Sequence, residues 1–184
     1  WCQCPDDEYA GYGPVDEYLH AAADDDFLML VCNLIGGFSL SRTVVIDPVL
    51  LSKVSKPARY VGGEWNSVVK NHEDVKLTVA YCFPDVYEVA MSHLGLRILY
   101  ALLNERKDVA AERVYAPWPD MEELMRSKGY PLFSLETKTP VIDFDFVGFT
   151  LQYEMSFTNI LNMLDLAGIP LFSRDRGEDM PLVV

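Results

Sequence analysis

The 184 residues suffice for one domain with an extension or for two small ones, and half of them are apolar, enough for a real core. A net charge of −13 argues against a nucleic-acid-binding surface. The charge is uneven: residues 1–43 hold eight acids and one arginine, and residues 44–184 hold the remaining 20 acids and 14 bases.

Residues 1–26 are acidic, scattered with Gly, Pro and Tyr, and show no sustained period, so a loose arm is expected. Phe27 to Leu40 is apolar but only 14 residues long, short of a membrane span. The acidic residues before it are wrong for a signal peptide. A strand or short helix is the simpler reading. Trp1 is not a normal start, so residues 1–43 are expected to begin inside a longer protein or to be foreign to the natural one. Cys2, Cys4, Cys32 and Cys82 match neither a zinc site nor a disulfide framework. A cytoplasmic location is therefore expected.

Residues 44–75 read as an extended arm. Pro48 to Val54 forms a short helix with Asp47 as N-cap. Lys56 to Tyr60 leads into a turn at Gly62-Gly63, and Asn71 to Asp74 makes a second, polar turn.

Residues 76–184 alternate strands and helices. Leu77 to Phe83 is a short apolar run ending at Pro84, as in a strand buried on both faces. A ten-residue turn follows, then a helix from about His93 to Asn104 with Ser92 as N-cap. Its Leu94, Leu96, Ile98, Leu99, Leu102 and Leu103 fill one wide arc, with Arg97 and Asn104 opposite, and the arc is expected to pack on the sheet. Arg113 to Ala116 is the second strand. Asp120 and Glu123 suggest a capping box for a helix from Met121 to Lys128, ended by Gly129. Pro131 to Leu135 suggests a short strand. Phe144 to Leu151 is the third main strand. The last helix, Met155 to Ala167, carries Phe157, Ile160, Leu161, Met163, Leu164 and Ala167 on one arc, and Gly168 and Pro170 end it. Pro181 to Val184 reads as a fourth strand that has barely begun. The expected fold is α/β: three layers around a doubly wound, mainly parallel sheet of Rossmann or flavodoxin type, truncated at its C-terminal end.

In such sheets ligands bind beyond the carboxyl ends of the strands. The candidate pocket is therefore Asp85, Tyr87, Ser92 and His93 after the first strand, Trp118 after the second, and Gln152 and Tyr153 after the third. Each has a bland reading too. Asp85 can orient a ligand or cap its own turn. His93 can be an axial ligand or general base, or a helix-start residue bonding locally; no nearby acid or second histidine supports the former. The aromatic residues can be core or rim. There is no Gly-rich phosphate loop, which speaks against ordinary nucleotide binding. No Ser-His-Asp or Cys-His set is visible, and no metal ligands are assigned.

The strings SKVSKPARYVGGEWNSVVK, FPDVYEVAMSHLGLRILYALLN, ERVYAPWPDMEELM, PLFSLET and GFTLQYEMSFTNILNMLDLAGIPL resemble, in order, the cobalamin-binding-domain-containing radical S-adenosylmethionine (SAM) proteins of a bacterial subfamily. The resemblance runs from Ile46 to Val184 and leaves residues 1–43 out. It implies that this region is an N-terminal cobalamin-binding-like domain. It also implies that a radical domain follows, with a C-x-x-x-C-x-x-C motif holding a [4Fe–4S] cluster that cleaves SAM. That motif is absent here, so the implied cluster and SAM site belong to a missing C-terminal domain and this piece alone is expected to be inactive.

The implied role is to shape the substrate side of the active site. The expected partners are the protein's own radical domain and an unidentified substrate, macromolecules included, with no membrane. Cobalamin is the cofactor the resemblance suggests. Relatives that ligate it through histidine use D-x-H-x-x-G, whereas His93 has Met91 two positions before it and Gly95 two after. The resemblance thus implies either cobalamin held without a protein histidine or a fold that has lost it, and the group commonly shows the second. The alternative is a cofactor-free, Rossmann-like docking module. A receiver-like domain fits poorly, since only Asp85 stands where clustered acids would be needed.

Overall fold

The computed structural model describes residues 43–184. The expectations for residues 1–42 — the acidic arm, the Phe27–Leu40 run, the cysteines before Cys82 — lie outside the described residues. Among the described residues no helix is long and apolar enough to cross a membrane.

Four strands form one sheet: β1 (Leu77–Phe83), β2 (Val109–Tyr115), β3 (Phe146–Phe149) and β4 (Leu182–Val183). Their order is β2-β1-β3-β4 and every pair is parallel. This is the flavodoxin-type doubly wound arrangement, in which the chain reverses direction across the sheet between β1 and β3. The expected α/β class and parallel sheet are what the chain adopts.

Register fixes which side chains share a face. Ala80 and Cys82 of β1, Val114 of β2 and Val147 of β3 join the main core. Met121 and Met125 of helix α4 (Pro119–Lys128) and Met163 and Leu164 of helix α5 (Ser156–Leu166) cover them. The two helices are tied side by side by Arg126, which bonds Glu122, Asn162 and Asp165. The opposite face carries Val79, Tyr81 and Phe83, covered by Leu96 and Leu103 of helix α3 (Leu94–Glu105) and by Ala90 just before it.

Several local expectations change. The turn after β1 contains a helix of its own, α2 (Tyr87–Ser92). Ser92 is not the N-cap of α3. It lies in the last turn of α2, where its hydroxyl bonds the carbonyl of Val89. His93 is the cap instead: its Nδ1 accepts from the Leu96 amide at 3.1 Å. Helix α3 is also rotated from the expected pose. Leu94, Ile98, Leu99 and Leu102 are 47–67% exposed. Asn104, expected to face water, turns inward and bonds both backbone groups of Ala111.

Trp118 caps α4 without a side-chain bond, and Asp120 accepts from Ser55 rather than forming a capping box. Gly129 does end α4, in the left-handed conformation at φ 71°. Residues 131–135 form no strand, only an isolated antiparallel bridge between Phe133 and Pro140. On α5, Phe157 and Leu161 are exposed although they lie on the expected core arc.

The arm begins with helix α1 (Pro48–Leu51), capped as expected by Asp47, whose Oδ1 accepts from the Val49 amide. Residues 57–60 form a 3-10 turn. The arm then crosses to α3, where the Tyr100 hydroxyl accepts from the Val68 amide. Lys70 Nζ donates to the carbonyls of Asn104, Arg106 and Val109, closing the end of α3 and the start of β2.

Strand β2 is a sheet edge, yet its outward backbone groups are taken. Asn104 holds Ala111, Glu136 Oε2 accepts from the Arg113 amide, and Leu135 donates to the Arg113 carbonyl. An edge treated this way cannot recruit a foreign strand.

Candidate functional site

Because all four strands are parallel, their carboxyl ends share one edge of the sheet. That edge carries every residue of the sequence-derived pocket except Ser92 and His93, which lie one helix further on. It does not gather them into one cavity.

The exit of β1 is rigid. Asp85 donates its amide to the Phe83 carbonyl, accepts the Val86 amide on Oδ1, and accepts the Ala116 amide on its own carbonyl. Asn159 of α5 donates to the Pro84 carbonyl. The first turn is thereby fixed to the exit of β2 and to α5, and Asp85 caps its own turn as an Asx residue does. The His93 ring is tied at Nδ1 and lies against Phe83, ring centres 5.1 Å apart.

The β2 side is built up by the arm. Glu88 of α2 accepts from Lys56 and from Arg59, which hold its carboxyl down at about 2, well below the usual carboxylate range. The Arg59 guanidinium stands 4.9 Å over the Trp118 ring. The Trp118 amide donates to the Tyr60 hydroxyl. Tyr87 packs edge-on against Tyr115, ring centres 5.8 Å apart, and the Tyr115 hydroxyl meets Met91 Sδ at 3.2 Å. Burial pushes the Tyr115 hydroxyl well above a phenol's ordinary value. Between the arm and the end of β2 lies a cavity of about 30 Å³ bordered by Tyr60, Tyr87, Arg113, Tyr115, Phe133 and Leu135. That is room for water or for the tip of a ligand, not for a cofactor.

Below it, Arg113 is the centre of a buried ionic group. It donates to Glu136 at 2.6 Å and to Glu64 at 3.0 Å, and its guanidinium lies 4.7 Å over the Tyr100 ring. Burial pushes the Glu136 carboxyl up, against the pull of Arg113. Nearby, Glu112 bonds His72 at 2.6 Å and the Thr137 hydroxyl at 2.7 Å. Sequence reasoning missed this group; an arginine and a glutamate in the middle of an apolar strand were the available signal.

The β3 side is bare by comparison. Gln152 and Tyr153 are exposed, as are Leu151, Met155 and Phe157 around them. The Thr150 hydroxyl is buried without a partner beside the end of β1, while its amide continues the sheet to the Cys82 carbonyl. So Tyr87 and Trp118 share the β2 side, and Tyr153 stands apart across β1.

These residues do not fit a histidine-ligated cobalamin. The His93 imidazole is spent on its helix and on Phe83. What the rim offers a flat ligand is apolar and aromatic surface around Leu151, Tyr153 and Met155.

The all-parallel sheet makes this an α/β domain of the doubly wound class, in which ligands generally bind beyond the carboxyl ends of the strands. Residues 95–184 match the model of the family described as the N-terminal region of radical SAM proteins, which supports a radical SAM protein. Of the candidate residues, Trp118, Gln152 and Tyr153 fall inside the matched stretch; Asp85, Tyr87, Ser92 and His93 precede it. No curated protein and no solved structure matches the chain.

Proposed function

We propose that residues 76–184 are the N-terminal, cobalamin-binding-like domain of a radical SAM enzyme. Its strand-end rim forms the substrate side of an active site whose [4Fe–4S] cluster and SAM lie in a following radical domain. The observation that carries this is the combination of an all-parallel β2-β1-β3-β4 sheet with the family match over residues 95–184. The test uses the full reading frame of the gene. Its product, reconstituted anaerobically with iron and sulfide and then reduced, is expected to cleave SAM to methionine and 5′-deoxyadenosine. A product that takes up no cluster or leaves SAM intact overturns the proposal.

A second reading, a docking module without cofactor, is favoured by one observation. The β3 end of the rim is an exposed apolar surface of Leu151, Tyr153, Met155 and Phe157, and large exposed apolar patches commonly mark protein contacts. Titration with hydroxocobalamin and with the separately produced polypeptide that follows this region separates the two. A shifted visible spectrum with saturable binding supports a cofactor site; no cobalamin binding together with tight association to that polypeptide supports the docking module.

A further inference from the structure

The cavity between the arm and the end of β2 has walls of two kinds. Its floor is apolar, made of the buried Met125, Leu132, Phe133 and Leu135. Its other wall is polar. The 3-10 turn of the arm brings Arg59 and Tyr60 to it, and the end of β2 brings Arg113 and Tyr115. Arg59, Tyr60 and Tyr87, on its solvent side, are partly exposed. A water needs roughly 10–15 Å³ of such space, so the 30 Å³ here admits a short end group of a few heavy atoms.

Two hydroxyls on the polar wall have protons to give. The Tyr60 oxygen accepts the Trp118 amide at 3.0 Å, while its own proton goes to no described residue. The Tyr115 hydroxyl meets the Met91 sulfur at 3.2 Å, and a thioether is a weak acceptor. Burial pushes both hydroxyls up, so at neutral pH both are phenols that donate. Charge, by contrast, is already balanced. Glu88 holds Arg59, and Glu136 and Glu64 hold Arg113. An anion would find both guanidiniums taken and carboxylates close by. A cation would face the two guanidiniums themselves. Burying an unpaired charge is costly, so such walls suit a neutral group: an acceptor oxygen on an apolar stem.

We infer that this cavity binds the uncharged, carbonyl-bearing end of a ligand, an amide or ketone on a short apolar stem, with Tyr60 and Tyr115 as its hydrogen-bond donors. That the ligand is the substrate rests on the proposed function, which gives the strand-end rim to the substrate side. One donor rides on the arm and the other on the sheet. The pocket therefore exists only while the arm is docked, through Lys56 and Arg59 on Glu88 and through Ser55 on Asp120.

Three small molecules of one shape test this. Acetamide is neutral, acetate is an anion and acetamidinium is a cation. Each is titrated into the 184-residue chain while the methyl signals of Met125, Leu132 and Leu135 are followed by NMR. Acetamide is expected to shift them saturably with a millimolar Kd, the range open to so small a ligand. Acetate and acetamidinium are expected to bind about tenfold more weakly or not at all. Tyr60→Phe and Tyr115→Phe each remove one donor and should weaken acetamide by about threefold to tenfold. Ala116→Leu fills the cavity and should abolish the shift. Should that variant not fold, the two tyrosine variants decide alone. The inference is overturned if acetamide gives no saturable shift, or if either ion binds as tightly. It is overturned equally if acetamide binds both Tyr→Phe variants as it binds the wild type. Binding is read without SAM or a cluster. A pocket that takes acetamide in a protein without radical chemistry therefore stands, and only its assignment to the substrate falls with the proposed function.

Discussion

Strands β2 and β4 are the two edges of one sheet, and they are finished in opposite ways. Along β2, Lys70, Asn104, Glu136 and Leu135 take the outward backbone groups, and the arm is stapled down by Arg113 and Glu88. Beyond β4, no further strand lies among the described residues, and its upper face is bare. The difference shows how an edge is sealed: polar side chains brought in from far along the sequence take the backbone groups of β2, whereas beside β4 Leu182 and Val184 stay exposed.

The largest effect is expected where the sealed edge is most buried. Glu136→Ala leaves the Arg113 charge short of its fully buried partner and frees the Arg113 amide. Breaking such a pair from one side costs about 3–5 kcal/mol, read by urea unfolding. A loss below about 1 kcal/mol would mean that the sealed edge contributes little.

Next come the two faces. Met163→Ala, in the covered core, should cost about 2–5 kcal/mol. Ile98→Ala, on the exposed ridge of α3, should change stability by about 0.5 kcal/mol or less in the 184-residue chain. Similar losses at both positions would erase the contrast between the faces.

The smallest effect sharpens the role of the arm. Lys56 and Arg59 hold the Glu88 carboxyl down at about 2 in the folded chain. A carboxyl depressed by folding stabilises the protein above its unfolded pKa, and that contribution fades as pH falls through the folded value. Wild type should therefore exceed Glu88→Gln in stability above about pH 5, with the difference shrinking to nothing toward about pH 2. A difference that does not vary with pH would separate Glu88 from the arm.

The sequence made the alternation of strands and helices and the parallel direction of the strands legible, because a strand buried on both faces is a continuous apolar run and β1 is one; the order of the strands, which differs between Rossmann and flavodoxin types, is not legible there. It also made legible the left-handed glycine that ends α4. Helix α3 was read the wrong way round for a physical reason. An apolar arc shows which side a helix can bury, and here Leu94, Ile98, Leu99 and Leu102 of that side stay exposed, while the amide of Asn104 is drawn inward to the edge of β2. The candidate site was legible only as a rim. Its polar organisation joins residues far apart in the chain, such as Lys56 with Glu88 and Glu64 with Arg113, and no local pattern announces such pairs.

Amide hydrogen exchange on the 184-residue chain, resolved to short peptides, tests the contrast between the two edges most directly. Peptides from β1, β2 and the Glu136 loop should exchange only with global unfolding, and those from β4 much earlier, through local opening. Protection over residues 182–184 equal to that over residues 109–115 would contradict the account, because it would mean that the two edges are equally stable.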